Sequence, residues 1–215
     1  MVRLTQIVRQ TAGCAVVAGW LSCGAQAQER FSPLRLDQLT PEQQRMVTML
    51  TTPPRNSQIN TGPFNAYARS PALGILLLQV SDFVRFNSSL PPRLSEFAIM
   101  IAARQWSQLY EWRAHYPLAV KGGLERQVLV DLGAGNRPQG MKPDETALYD
   151  YCTELYRDKN VSDATSKAAF AQFGERGVMD LIGIIGYYDL VSMALIAQKA
   201  EGKPGDEPPL LPLTR

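Results

Sequence analysis

The sequence predicts an all-α fold of seven or eight helices arranged around a central helical hairpin. Three observations carry that expectation. No stretch shows the period-two alternation of a half-buried strand. Apolar residues recur instead at helical spacing from about 41 to 200. Start and stop signals punctuate these runs, with Thr40-Pro41, Ser70-Pro71 and Ser162 ahead of them and Gly122-Gly123 and Gly135 behind.

The first element to place is not part of the bundle. Arg3 and Arg9 precede the short apolar run AGCAVVAGWL, and Ala25-Gln26-Ala27 forms an A-x-A cleavage site. Residues 1–27 therefore read as an export signal cut after Ala27, which sends the mature chain to the periplasm or outside the cell. The apolar run is too short to cross a bilayer, so no membrane span is expected. A lipidation site at Cys23 is a poorer reading, because Trp20 and Leu21 fit that kind of signal badly. Cleavage leaves Cys152 as the one cysteine, so packing rather than a disulfide must hold the fold.

In the rest of the chain, residues 28–200 read as one domain and 201–215 as a tail. Thr40, Pro41 and Gln43 start a helix over 41–51 through a capping box. The polar run TTPPRNSQINTGP, residues 51–63, is a long loop of the kind that covers sites, and a short helical turn at 64–69 ends it. Ser70-Pro71 opens a helix, ALGILLLQVSDFVRF, that is apolar on nearly every face and is expected to be largely buried in a core or an oligomer contact. LERQVLVDLGAG gives a short helix closed by Gly133 and Gly135. Residues 143–158 put Leu148, Cys152, Leu155 and Tyr156 at helical spacing. Ser162 caps a helix through Phe173, and a long apolar helix follows over 175–200, with Gly183 and Gly186 permitting close approach. The tail, EGKPGDEPPLLPLTR, is too rich in proline and glycine for helix. It is expected to lie as an extended strap whose apolar end docks on a neighbouring subunit.

The chemistry is concentrated in residues 90–124, LPPRLSEFAIMIAARQWSQLYEWRAHYPLAVKGGL, which hold the one histidine of the chain, His115. Glu111 is four residues before it and shares its helix face. Glu96 lies nineteen residues before it. One straight helix would separate Glu96 from His115 by roughly 28 Å. Ser107 interrupts the apolar run and can cap a second helix, which makes 91–105 and 108–121 a hairpin. With arms of roughly 16 Å and 12 Å, Glu96, Glu111 and His115 then converge.

The segments RLSEFAIMIAAR and YEWRAHYPLAVKGGL resemble the carboxymuconolactone decarboxylase family of the AhpD-like superfamily, in the branch with E-W-x-x-H where peroxidase relatives carry C-x-x-C-x-x-x-H. The resemblance covers about residues 36–200. It implies an AhpD-like helical bundle assembled into trimers or hexamers, working without a cofactor. Glu96 matches the acidic relay residue and His115 the histidine. Gln108 and Glu111 stand where the redox branch has its cysteines, which removes the thiol chemistry of a peroxidase-type protein. The implied reaction is decarboxylation of an unsaturated lactone acid. Because degradation of aromatic rings to such lactones is normally cytoplasmic, an exported chain is as well suited to lyase or isomerase chemistry on another small lactone or carboxylated ring. A non-catalytic small-molecule-binding protein on the same fold is the remaining alternative.

Glu96, Glu111 and His115 are the candidate catalytic residues; Arg104, Tyr110, Trp112 and Tyr187 are the candidate substrate contacts. Arg104 suits a substrate carboxylate because a guanidinium meets one bidentately. The plainer readings are an i,i+4 pair on a solvated face, a salt bridge from Glu96 to Arg93 or Arg104, and core packing for Tyr187-Tyr188. Tyr110, Trp112 and Tyr116 around the Glu111–His115 pair argue for a pocket instead. The same three candidate residues form a two-carboxylate, one-histidine set, but a second histidine is lacking and no metal or other cofactor is expected. A net charge of +2 without a basic run leaves no electrostatic footprint for nucleic acid, so the expected partner is a small molecule.

Overall fold

The computed structural model describes residues 30–212, so the export signal expected at 1–27 lies outside the described residues. Among the described residues the chain is all-helical: a short 3-10 turn at Leu36–Gln38 and eight α-helices, with no strand. Helix α1 (Pro41–Thr51) begins as expected. Thr40 Oγ1 accepts from the Gln43 backbone, and the Gln43 side chain accepts from the Thr40 backbone, closing the box. After the loop come α2 (Phe64–Tyr67) and α3 (Pro71–Phe86).

The central hairpin is α4 (Pro92–Gln105) and α5 (Leu109–Lys121), which pack along each other. Its turn differs from the expected one in a single respect. Ser107 is the left-handed turn residue, with φ +48°, and Gln108 is the cap, its Oε1 accepting from the Tyr110 backbone at 2.5 Å. The bend needs one residue at positive φ, and a serine held there cannot also cap. Gly123, at φ +97°, closes α5 at the other end.

Helices α6 (Arg126–Ala134) and α7 (Pro143–Asp158) follow, then α8 (Asp163–Gln198). The two helices expected over 162–200 are both present within α8, separated at Gly174, where φ +65° and ψ 179° are open to glycine alone without strain. The main core forms where α4 meets α5, α7 and α8, around Phe97, Met100, Trp112, Leu129, Leu148 and Leu181. Arg93 ties α4 to α7 through Asp144, at 2.6 Å, and through the fully buried Glu145.

Two elements lie at the edge of the main core. Helix α3 buries only Gly74, Leu78, Ser81 and Val84, while Leu73, Leu76, Val80 and Phe83 face outward. A helix on the flank of a single-chain bundle can turn only one side to it, whatever its composition. The tail is extended, as expected, and residues 207–211 are strapped along their own chain. Trp112 Nε1 donates to the Pro208 carbonyl at 2.7 Å, Arg113 meets Glu207 at 3.1 Å, and the Leu211 amide donates to the Gly133 carbonyl at 3.0 Å.

Candidate active site

Helix α5 presents Glu111 and His115 one turn apart on its inner face, and α4 brings Glu96 to them from across the hairpin. His115 Nδ1 lies 2.6 Å from Glu96 Oε2, and His115 Nε2 lies 3.3 Å from Glu111 Oε2. Glu111 and His115 are only 3% and 4% exposed, so the solvated-face reading does not hold. Arg93 is engaged by Asp144 and Glu145, which leaves Glu96 to His115 and, at 3.9 Å, to Arg85.

Burial by itself would drive the proton off His115. The attraction of Glu96 and the hydrogen bonds that the ring donates to both carboxylates outweigh it and raise the imidazole from 6.5 to about 9. At neutral pH the group is thus an imidazolium between two acids. With both ring nitrogens directed at carboxylates, neither offers a metal a lone pair, and among the described residues no group of three or more His, Cys, Asp or Glu is set to hold one.

The relay opens on a cavity of about 240 Å³ between α3, α5, α8 and the loop after α1. Glu111, His115, Tyr110, Tyr187, Arg55 and Arg85 are among its lining residues. The 51–63 loop covers this cavity, as its length and composition led us to expect, through Pro54, Arg55, Ser57 and 61–63. Gly62 sits at φ +54°, and a Cβ there would stand 3.0 Å from the Tyr110 hydroxyl. Glycine therefore lets the loop close on Tyr110. A wider outer basin, about 750 Å³ and bordered by Arg113, Lys199 and Lys203, shares Thr61, Gly62, Tyr110 and Ala114 with the inner cavity. Tyr110 thus stands in the wall between the two.

On the far side, Tyr187 accepts a hydrogen bond from Tyr67 at 3.2 Å, and the Tyr188 ring meets His115 edge-on with centroids 5.1 Å apart. Burial raises the hydroxyl pKa of all three tyrosines above the usual value, so they remain phenols and can donate hydrogen bonds.

Of the residues singled out by sequence, Glu96, Glu111, His115, Tyr110 and Tyr187 are brought to this site. Arg104 and Trp112 are not. Arg104 is eight residues beyond Glu96, about 12 Å further along the helix, and lies at the turn of the hairpin. Trp112 points into the core and to the strap, fully buried against Gly133 and Pro208. Sequence reading missed Arg55 and Arg85, and of the Tyr187-Tyr188 pair it placed only Tyr187 at the site, whereas both line the cavity. Arg55 is pinned by Asp82 at 2.6 Å and by Ser81 at 2.8 Å beneath Phe64 and Phe86. The one signal for Arg85 is a cation in the last turn of a mostly apolar helix.

A scan against protein-family models finds no match to this chain, and a search of curated proteins finds none either.

Proposed function

We propose that the chain is an exported, oligomeric, cofactor-independent acid–base enzyme of the carboxymuconolactone decarboxylase type, acting on a small lactone or carboxylated ring compound. The observation that carries this reading is the buried Glu96–His115–Glu111 relay opening on a small cavity that also holds a cation, Arg85. A structural histidine needs one hydrogen-bond partner; one flanked by two carboxylates and facing a cavity is equipped to move a proton.

Arg85 takes the part for which Arg104 is misplaced, holding a substrate carboxylate. In a decarboxylation the bond from ring carbon to CO₂ breaks and its electron pair moves onto the lactone oxygen. Hydrogen bonds from Tyr187 and Tyr188 stabilise that developing charge, the more so in a site with little water. His115, as imidazolium, then gives its proton to the ring carbon, and Glu96 and Glu111 favour its recharging. Isomerisation uses the same parts, with a carboxylate removing one proton and His115 returning another.

Thiol chemistry has little support. Cys152 is fully buried in the main core, and burial, with Asp189 nearby, pushes its thiol well above the usual range. The test is to offer the purified protein carboxymuconolactone and related carboxylated lactones, and separately a hydroperoxide with a dithiol. Consumption of a lactone, lost on His115→Gln, is expected. Hydroperoxide reduction would replace this reading with the redox one, and binding without turnover of any lactone would replace it with a binding protein.

A further inference from the structure

Arg104 lines a second cavity, of about 300 Å³, between α4, α6 and α7. None of its lining residues belongs to the cavity of His115. The Arg104 side chain belongs to a residue only 4% exposed, with Nη1 donating to Ser107 Oγ at 3.2 Å and Nη2 to the Leu211 carbonyl at 2.6 Å, while Nε meets no acceptor. Among the described residues no carboxylate pairs with it. Arg55, Arg93 and Arg113, also withdrawn from solvent, each have an acid within 3.1 Å. A guanidinium taken out of water without a counter-charge is costly, and two neutral oxygens only partly replace its hydration. Burial accordingly lowers its pKa.

The cavity lining supplies no compensation. Its only charged members are Arg104 and Arg157, and it contains no acid. Ile101, Leu132 and the rings of Tyr149 and Tyr156 make most of its wall apolar, with Asn136 and Thr153 as polar points. A space of this size is at the lower end of pockets that take small molecules. We propose that it binds a small carboxylate carried on an apolar or aromatic body, with the carboxylate against Arg104 and the body between Leu132 and the tyrosines. One charged end and one apolar end match one buried cation in a mostly apolar chamber. Inorganic phosphate, charged on all sides, leaves the apolar wall facing its oxygens.

The site is tested by calorimetric titration of the full chain in an Arg85→Gln background, which removes from the other cavity the cation that is not closely paired; Arg55, the second cation there, is held by Asp82 at 2.6 Å. Benzoate, benzyl alcohol and inorganic phosphate are the probes. Benzoate is expected to bind saturably, at least tenfold more tightly than either of the others. Arg104→Gln, which removes the charge, and Thr153→Trp, which fills the chamber and leaves Arg104 in place, should each weaken benzoate at least tenfold. Should Arg104→Gln fail to fold, Thr153→Trp decides alone. Absence of benzoate binding, benzoate affinity untouched by the folded variants, or phosphate binding as tightly as benzoate would each overturn the proposal.

Discussion

At neutral pH the imidazole of His115 is kept as its cation by two carboxylates against the pull of burial, and its chemistry and its contribution to stability have the same source. If the relay moves a proton, His115→Gln should lower turnover by roughly 10² or more in the folded protein, the usual scale for a lost acid–base group. Glu111→Gln should act in the same direction, and the double variant should be little worse than the poorer single one, since groups working as a unit do not add. A purely structural role would lower stability and leave the rate per folded molecule unchanged. The pH dependence has a definite sign. Because the folded-state pKa, about 9, is above the unfolded 6.5, the native state binds the proton more tightly. That stability is fully present below about 6.5 and is lost as the pH rises through about 9. Urea unfolding between these limits should show stability falling with pH in the wild type and a flatter profile in His115→Gln. The i,i+4 spacing made Glu111 and His115 legible in sequence. Arg85 was not, and Tyr188 was legible only as half of a packing pair, because their place beside His115 depends on how α3 and α8 pack against the hairpin, a long-range outcome that no local pattern encodes. Trp112 was misassigned for a simpler reason: it is three residues from His115, but its ring is turned to the strap.

Among the elements, the hairpin was legible because one straight helix would hold Glu96 and His115 roughly 28 Å apart, too far to cooperate. The strap was legible only as non-helix. Proline content says where a chain cannot coil but not what it will lie against, and the answer is α5 itself, through Trp112 and Arg113. The helix that carries Glu111 and His115 is therefore held from outside by the end of the chain. Trp112→Phe keeps a large ring but leaves the Pro208 carbonyl without its donor, which should cost about 1–3 kcal/mol in chemical denaturation. An unchanged midpoint would mean that the strap adds nothing to the fold. At the other end of the chain, Thr40→Ala removes one half of the capping box and should cost about 1 kcal/mol by the same measurement. Helix α1 is remote from the relay, so turnover should stay at the wild-type level.

At the scale of the whole molecule, α3 and α8 leave a broad apolar surface on the outside of the bundle. Leu73, Leu76, Val80 and Phe83 recur every three or four residues on the outer side of α3, and Leu76 is 59% exposed. Helix α8, packed beside it, exposes Met179, at 62%, with Ile182, Met193 and Ile196, while Val84 of α3 lies close to Gly183. Two adjacent helices with such faces are more than the scattered exposed apolar residues of an ordinary monomer. By length and composition α8 is also apolar enough to cross a membrane, but half of its apolar window is buried inside this bundle, which a lipid-facing span has no need of. Association of like subunits through α3 and α8 would cover both faces at once, and closed symmetry would then limit the assembly to a defined number of copies. Light scattering on the purified chain should give a trimer or hexamer. Leu76→Asp or Met179→Asp, each placing a charge in the contact, should shift it towards monomer while the helical circular-dichroism signal stays. A wild-type protein that remains monomeric at high micromolar concentration would rule out this assembly, and co-sedimentation of that monomer with lipid vesicles would assign the same faces to a membrane.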